Sequence, residues 1–156
     1  MGRRFASVLI PLLPALMLAG CVGPSAQTTT YTSYGLTCCT AGDVDMLWRP
    51  GSTVDLHLIP MSSQVTTVNP THHVRITGLL SGPFADVATL KQGREGADKV
   101  TGSPVVFDDR EVPSSDSVIT FLLPANLPSG LYNLDVNTDF GDGGSAGGAS
   151  IVRVGI

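Results

Sequence analysis

The sequence predicts an all-β fold, a single antiparallel β-sandwich of about seven to nine short strands. Three observations predict it. From Asp43 onward, short runs that alternate apolar and polar residues recur at intervals of about 8–12 residues. Clusters of proline and glycine, such as Pro50-Gly51, separate these runs and are typical of turns. No window repeats its apolar residues at the period of a helix.

After Asp43 the sequence predicts a series of short strands and offers one helix candidate. The run 53–58 alternates, with its valine and two leucines on one face, as in a half-buried strand. The stretch 86–97 is the best helix candidate, but Gly93 and Gly96 disfavour a helix there. Trp48 follows two apolar residues, so we expect it in the core rather than on the surface as a platform for a sugar. Further strands are predicted at 65–68, 73–79, 85–90, 104–107, 118–123, 131–136 and 150–156.

One segment predicts the type of sandwich. Between Phe121 and Val136 a strand ends in a proline turn, and Gly130-Leu131-Tyr132 then opens the next strand. This segment resembles the E-to-F region of immunoglobulin-like domains, and the resemblance implies that the Tyr132 hydroxyl bonds back to the turn backbone as a tyrosine corner. Leu134 stands where antibody domains have the second cysteine of their intersheet disulfide, so that disulfide is absent.

The first 20 residues have the features of a secretory signal. Two arginines precede an apolar run at 5–19, and the run ends in Leu18-Ala19-Gly20-Cys21. A charged start, an apolar stretch of about 7–15 residues and small residues at the cleavage site define such a signal. A transmembrane helix would need about 20 apolar residues. We therefore assign residues 1–20 to a cleaved signal peptide.

The tetrapeptide Leu18-Ala19-Gly20-Cys21 resembles the lipobox of bacterial lipoproteins. The resemblance implies that Cys21 receives a diacylglyceryl group and becomes the first mature residue. Its acyl chains, such as palmitate, would hold the protein on a membrane. No acidic residue follows Cys21, which favours the outer membrane if the source is Gram-negative. The alternative is an ordinary signal peptide in which Cys21 is incidental.

Residues 21–42 are predicted to be a tether between the lipidated cysteine and a β domain at 43–156. Small polar residues dominate 22–37, and no apolar period appears there. The density of threonine and serine also resembles O-glycosylated stalks, and a plain flexible linker is the favoured alternative.

The mature chain is mildly acidic. Removing residues 1–20 takes away two of the nine Lys and Arg residues and none of the 13 Asp and Glu residues, which changes the net charge from −4 to −6. Proteins that bind nucleic acid or anionic lipid need basic patches. The composition therefore argues against a nucleic-acid partner.

Beyond Cys21, the mature chain has two cysteines, Cys38 and Cys39, and they are adjacent. Successive Cα atoms lie about 3.8 Å apart, below the usual disulfide range of about 4.4–6.8 Å. Three alternatives remain: a vicinal disulfide, bonds to another chain, or two free thiols. Exported proteins meet oxidising conditions, so the vicinal disulfide is favoured.

A polar cluster at Asp135, Asn137, Asp139 and Asp142 is the candidate metal site, because calcium requires several converging oxygen ligands. It departs from an EF-hand loop at two positions, since Phe140 replaces the glycine and no closing glutamate follows. A hairpin loop at 141–145 explains the same residues without a metal. We expect no cofactor.

The histidines and an acidic stretch provide weaker candidates. His57, His72 and His73 could hold a transition metal. However, adjacent strand residues point to opposite faces, so His72 and His73 would not share one ion. The acidic stretch 108–111 is expected to be a solvated loop, where carboxylates gain little from desolvation.

Together these features predict a membrane-anchored envelope lipoprotein that faces the periplasm or the exterior. We expect a non-catalytic binding or structural module rather than an enzyme. Its expected partners are the membrane, through the lipid on Cys21, and another envelope protein or a glycan. The alternative is an envelope protein that binds a metal or a small ligand.

Overall fold

The structure is a computed structural model that describes residues 27–67, 73–92, 96–141 and 144–156. Over these residues the chain forms ten strands and two short helices. The helices are α1 (Ala41–Asp45) and α2 (Val87–Lys91). The strands are β1 (Thr29–Thr37), β2 (Leu47–Trp48), β3 (Thr53–His57), β4 (Ile59–Thr67), β5 (His73–Phe84), β6 (Asp98–Thr101), β7 (Val105–Asp108), β8 (Val118–Leu122), β9 (Gly130–Asp139) and β10 (Ser145–Val154).

The strands form one large sheet and two strand pairs. The large sheet has the order β2-β10-β9-β5-β6. β7 also pairs with β5, at residues 73–76, whereas β6 pairs with residues 79–82 of β5. The two pairs are β1–β4 and β3–β8. Within the described residues every pairing is antiparallel except the short β2–β10 contact. The predicted antiparallel all-β fold is confirmed.

The core lies between the β3–β8 pair and the large sheet, as in a sandwich. Alternate residues of the strands are buried, because successive side chains of a strand point to opposite faces. Trp48 is fully buried, as predicted, and its ring centroid lies 5.6 Å from that of Phe121. The core side chains of these strands are Val54, Leu56, Val74, Ile76, Leu80, Ile119, Phe121, Tyr132, Leu134, Val136, Val152 and Val154.

The β1–β4 pair extends the layer formed by β3 and β8. β3 ends at His57 and β4 begins at Ile59, so the chain runs on and exchanges β8 for β1 as its partner. Leu58, between the two strands, is buried. Most of β4 is exposed, whereas β1 buries Leu36 in the core.

β1 differs from the prediction, because its residues lie within the predicted tether at 21–42. The strand pairs with β4 over nine positions, from Thr29 opposite Thr67 to Thr37 opposite Ile59. Threonine and tyrosine suit strands because their bulky side chains pack on a pleated surface. The strand was missed because only Leu36 supplies a buried apolar side chain, so no apolar alternation marks it.

The predicted strand at 85–90 is wrong. The chain there forms α2, and the Asp86 carboxylate accepts a 2.7 Å hydrogen bond from the Thr89 backbone N–H at the start of the helix. This N-cap satisfies one of the free amides of the first turn. The stretch 86–97 was a helix candidate that Gly93 and Gly96 disfavoured, and the described helix in it covers only Val87–Lys91. Neither described helix is long and apolar enough to span a bilayer.

Candidate binding groove

A groove opens where β10 and the end of β1 come together at one side of the domain. Its volume is about 530 Å³, within the range of small-ligand sites. Leu134 and Val136 of β9, together with Phe140, line one part of it. Leu36 and Met61 line another part. These residues give the groove a largely apolar lining.

The groove exists because β10 carries small side chains where the core would need large ones. Val152 and Val154 are buried, and the preceding positions with the same alternation are Ala146, Gly148 and Ser150. A Cβ atom placed on Gly148 would meet no atom within 4 Å. The space that a valine or leucine would fill therefore remains open between β10 and β1.

The edge of β10 beside the groove has no strand partner among the described residues. β9 pairs with β10 along all ten positions. On the other side, β2 pairs only with Arg153 and Val154. The edge over residues 145–152 therefore presents backbone donors and acceptors that another strand could use.

The Cys38–Cys39 pair lies at the groove. The structure joins the two sulfur atoms in a disulfide, and Cys38 lines the groove between the end of β1 and α1. Both cysteines are half-buried against the core. A disulfide between neighbouring residues links no distant segments, so its effect is confined to the part of the groove that Cys38 lines.

The groove offers apolar side chains and a few hydroxyl groups. No residue that lines it among those described is charged or a histidine. The polar groups that it offers are the hydroxyls of Thr37, Thr138 and Ser150 and the backbone of β10. General acid–base catalysis needs a titratable group within reach of the reacting atoms, so the lining favours recognition of an uncharged ligand.

The candidate metal residues do not converge in the described structure. Asp135, Asn137 and Asp139 alternate along β9, and residues two positions apart in a strand lie about 6.6–6.8 Å from each other. The Asp135 carboxylate accepts a 2.8 Å bond from the Asn133 amide, and Asp139 accepts one of 2.8 Å from the Gly141 backbone N–H. Asp142 lies outside the described residues. No group of three His, Cys, Asp or Glu side chains in the described ranges could hold a metal ion.

The histidines are separated from one another. His57 ends β3, and its Nδ1 lies 3.2 Å from Oδ2 of Asp43, which also accepts a 2.8 Å bond from the His57 backbone N–H. Burial alone would raise the pKa of Asp43, but hydrogen bonds from the His57 backbone, the Thr40 hydroxyl and the His57 ring hold it below its usual value. His73 lies opposite Asp108 on β7. His72 lies outside the described residues.

Asp109 belongs to the stretch 108–111 that was predicted to be a solvated loop, but it is only 4% exposed. Its Oδ2 accepts a 2.8 Å bond from the Tyr31 hydroxyl and lies 3.4 Å from the Ser33 hydroxyl. The Arg110 guanidinium lies 4.7 Å from the centre of the Tyr31 ring. Burial, followed by the bond to Asp109, raises the pKa of Tyr31. Asp109 thus holds β1 against the end of β7, and no pattern in the sequence distinguishes it from its exposed neighbours.

Neither the groove nor the unpaired edge was predicted from the sequence. The available signal was the stretch Ser145-Ala146-Gly147-Gly148-Ala149-Ser150, which lacks large side chains but lies within a strand. The last strand was predicted at 150–156, so only Ser150 of this stretch belonged to a predicted strand. The comparisons with known proteins identify no relative, since no protein-family model, curated protein or solved structure matches this chain.

Proposed function

We propose that the chain is a lipid-anchored envelope protein whose β domain binds a ligand in the groove between β10 and β1. The observation that carries this proposal is the open, uncharged groove beside an unpaired strand edge. Protein interiors are close-packed, so small β10 residues that served only for packing would not leave this space open. The absence of titratable groups from the described lining favours a non-catalytic role.

The lipid anchor supplies the location. Leu18-Ala19-Gly20-Cys21 resembles a lipobox, and the resemblance implies a diacylglyceryl group on Cys21. Two or three acyl chains would hold the protein stably on a membrane, because each buried methylene contributes about 0.8 kcal/mol. We expect a palmitate analogue fed to cells to label the wild-type protein. The Cys21→Ser variant should stay unlabelled, and a labelled variant would contradict the anchor.

The immunoglobulin-like type of the sandwich belongs to the same proposal. Its support is the tyrosine corner, in which the Tyr132 hydroxyl donates to the Pro128 carbonyl. In such domains the loops and edges vary while the core stays constant, so the fold does not identify the ligand. The lining and the chemistry of the groove must identify the ligand instead.

The groove is tested in cells by crosslinking the lipidated protein and identifying what it captures. Gly148→Leu should fill the groove, and its Cβ would meet no atom within 4 Å. Gly42→Leu is the matched control, because a Cβ on Gly42 in α1 also meets no atom within 4 Å and Gly42 lies outside the groove lining. We expect Gly148→Leu to lose the captured species and Gly42→Leu to retain it. Equal capture by both variants would overturn the groove as the binding site.

A further inference from the structure

α1 contacts β10, but among the described residues the edge over 145–152 lacks the sequence features that usually protect a strand edge. Native proteins guard such edges with lysine, proline or a bulge. Residues 145–152 contain no charged residue and no proline. Their register with β9 runs without a shift from Ser145 opposite Asp139 to Val152 opposite Tyr132. The edge is therefore a regular template for one more strand.

The edge and the groove share the same residues. Ala146, Gly148 and Ser150 carry the unpaired edge and also line the groove. A strand added to the edge would turn every second side chain to the inner face of the large sheet. Those side chains would enter the groove, next to Leu134 and Val136.

We propose that the groove receives an extended, uncharged peptide strand of a partner protein, which pairs with β10 and places alternate apolar side chains between β10 and β1. This inference rests on the proposed function and names its ligand class. A peptide backbone supplies both the donors and the acceptors that the edge requires, which an acyl chain cannot do. About seven residues would cover the edge at 3.3 Å per residue.

Charge complementarity favours an uncharged strand. The mature chain has a net charge of −6, yet neither the described groove lining nor residues 145–152 carry a charge. A charged side chain entering the groove would lose its hydration without gaining a partner. Valine, isoleucine or leucine at every second position, with serine or threonine between, fits both the groove and the solvent.

The test uses a pool of capped, fluorescent peptides of about seven residues, which alternate Val, Ile or Leu with Ser or Thr. Binding to the full mature chain with Cys21→Ser is followed by fluorescence anisotropy. We expect members of the pool to bind and to slow amide hydrogen exchange at residues 145–152. Gly148→Leu, and Ala146→Leu as a second groove-filling variant, should weaken binding at least about tenfold. Gly42→Leu should bind like the unsubstituted domain.

Backbone methylation of the peptide tests the strand pairing itself. A strand added to one edge uses the N–H groups of alternate residues only. Methylating one alternate set of peptide nitrogens should abolish binding, and methylating the other set should leave most of it. Equal effects of the two sets, or no binding by any member at about 1 mM, would overturn the proposal. If the domain self-associates and the peptides disrupt that association, the added strand comes from a second copy of the chain. That result would overturn the assignment of the strand to a partner protein.

The two proposals fail in different ways. If no peptide binds but Gly148→Leu still abolishes capture in cells, the groove binds a ligand that is not a strand. If Gly148→Leu leaves the capture intact, the proposed function itself is wrong. A thermal melt of each variant confirms that the compared proteins are folded.

Discussion

The hydroxyl of Tyr132 donates a 2.8 Å hydrogen bond to the backbone carbonyl of Pro128, four residues earlier in the chain. Tyr132 is fully buried, and it is a core residue near the start of β9. The bond therefore fixes the turn before β9 to the strand that pairs with both β5 and β10. The resemblance to immunoglobulin-like domains implied this contact, and the structure contains it.

Tyr132→Phe should lower the free energy of unfolding by about 1–3 kcal/mol, because it removes the bond and leaves the Pro128 carbonyl without it. Urea denaturation followed by circular dichroism measures the change. Tyr34→Phe is the control, since the Tyr34 hydroxyl makes no hydrogen bond among the described contacts. A loss of equal size in both variants would mean that the hydroxyl of Tyr132 contributes nothing specific.

The titration of Tyr132 gives a second prediction. Burial, with a smaller contribution from the Asp98 charge, raises the pKa of Tyr132 to about 12. A tyrosine in the unfolded chain ionises near pH 10, so the contribution of Tyr132 to stability is complete below pH 10 and is lost as the pH rises towards 12. Wild-type stability should fall over this window more steeply than that of Tyr132→Phe. Parallel curves would contradict the raised pKa.

The sequence predicted the parts of the fold that apolar alternation marks. β3, β8 and β9 bury every second side chain, so their patterns are readable without a structure. β1 and the first half of β10 were missed for a common reason. Their residues are polar or small, and their places are set by pairing with β4 and β9 rather than by their own burial. Such pairing joins residues far apart in sequence, and local patterns do not encode it.

The candidate site was missed for a related reason. The groove combines Leu36, Met61, Val136 and Gly148, which come from four strands. Each of these residues is unremarkable in its own segment. The candidate residues chosen from the sequence were carboxylates, histidines and cysteines, because each of these residue types can be recognised as reactive or metal-binding on its own. Of those that the structure describes, only Cys38 lines the groove, and Cys39 is joined to it.

Asp109→Ala should loosen β1 from the body of the domain. The substitution removes the acceptor for the Tyr31 hydroxyl, so we expect an unfolding free energy lower by about 1–3 kcal/mol. Amide hydrogen exchange should accelerate in β1, and Tyr34 is the most sensitive position because its N–H donates to the Asp109 carbonyl at 2.7 Å. Glu111→Ala is the matched control, since Glu111 is exposed in the same loop. Unchanged exchange in β1 would show that Asp109 does not hold the strand.

Asp43→Ala should destabilise the domain by about 1 kcal/mol at neutral pH, because the carboxylate accepts bonds from the backbone and ring of His57. The pKa of Asp43 is lower in the folded chain than its usual value. Its contribution is therefore present above the unfolded pKa of about 4 and is lost as the pH falls through the folded value. Urea denaturation of wild type and variant should converge in acid. Asp45→Ala, at an exposed position of the same helix, should show no such convergence.

Two glycines should respond oppositely to alanine, and the contrast tests the shape of the groove. A Cβ on Gly102 would lie 2.9 Å from Cε2 of Phe121 and closer still to Cγ2 of Ile119, so Gly102→Ala must displace core side chains. We expect it to cost about 1–3 kcal/mol. A Cβ on Gly148 meets open space, so Gly148→Ala should be neutral or stabilising by up to about 1 kcal/mol, because alanine restricts the unfolded chain. Thermal melts of the two variants measure the difference. A marked loss in Gly148→Ala would mean that the groove is closed, and the binding proposals would fall with it.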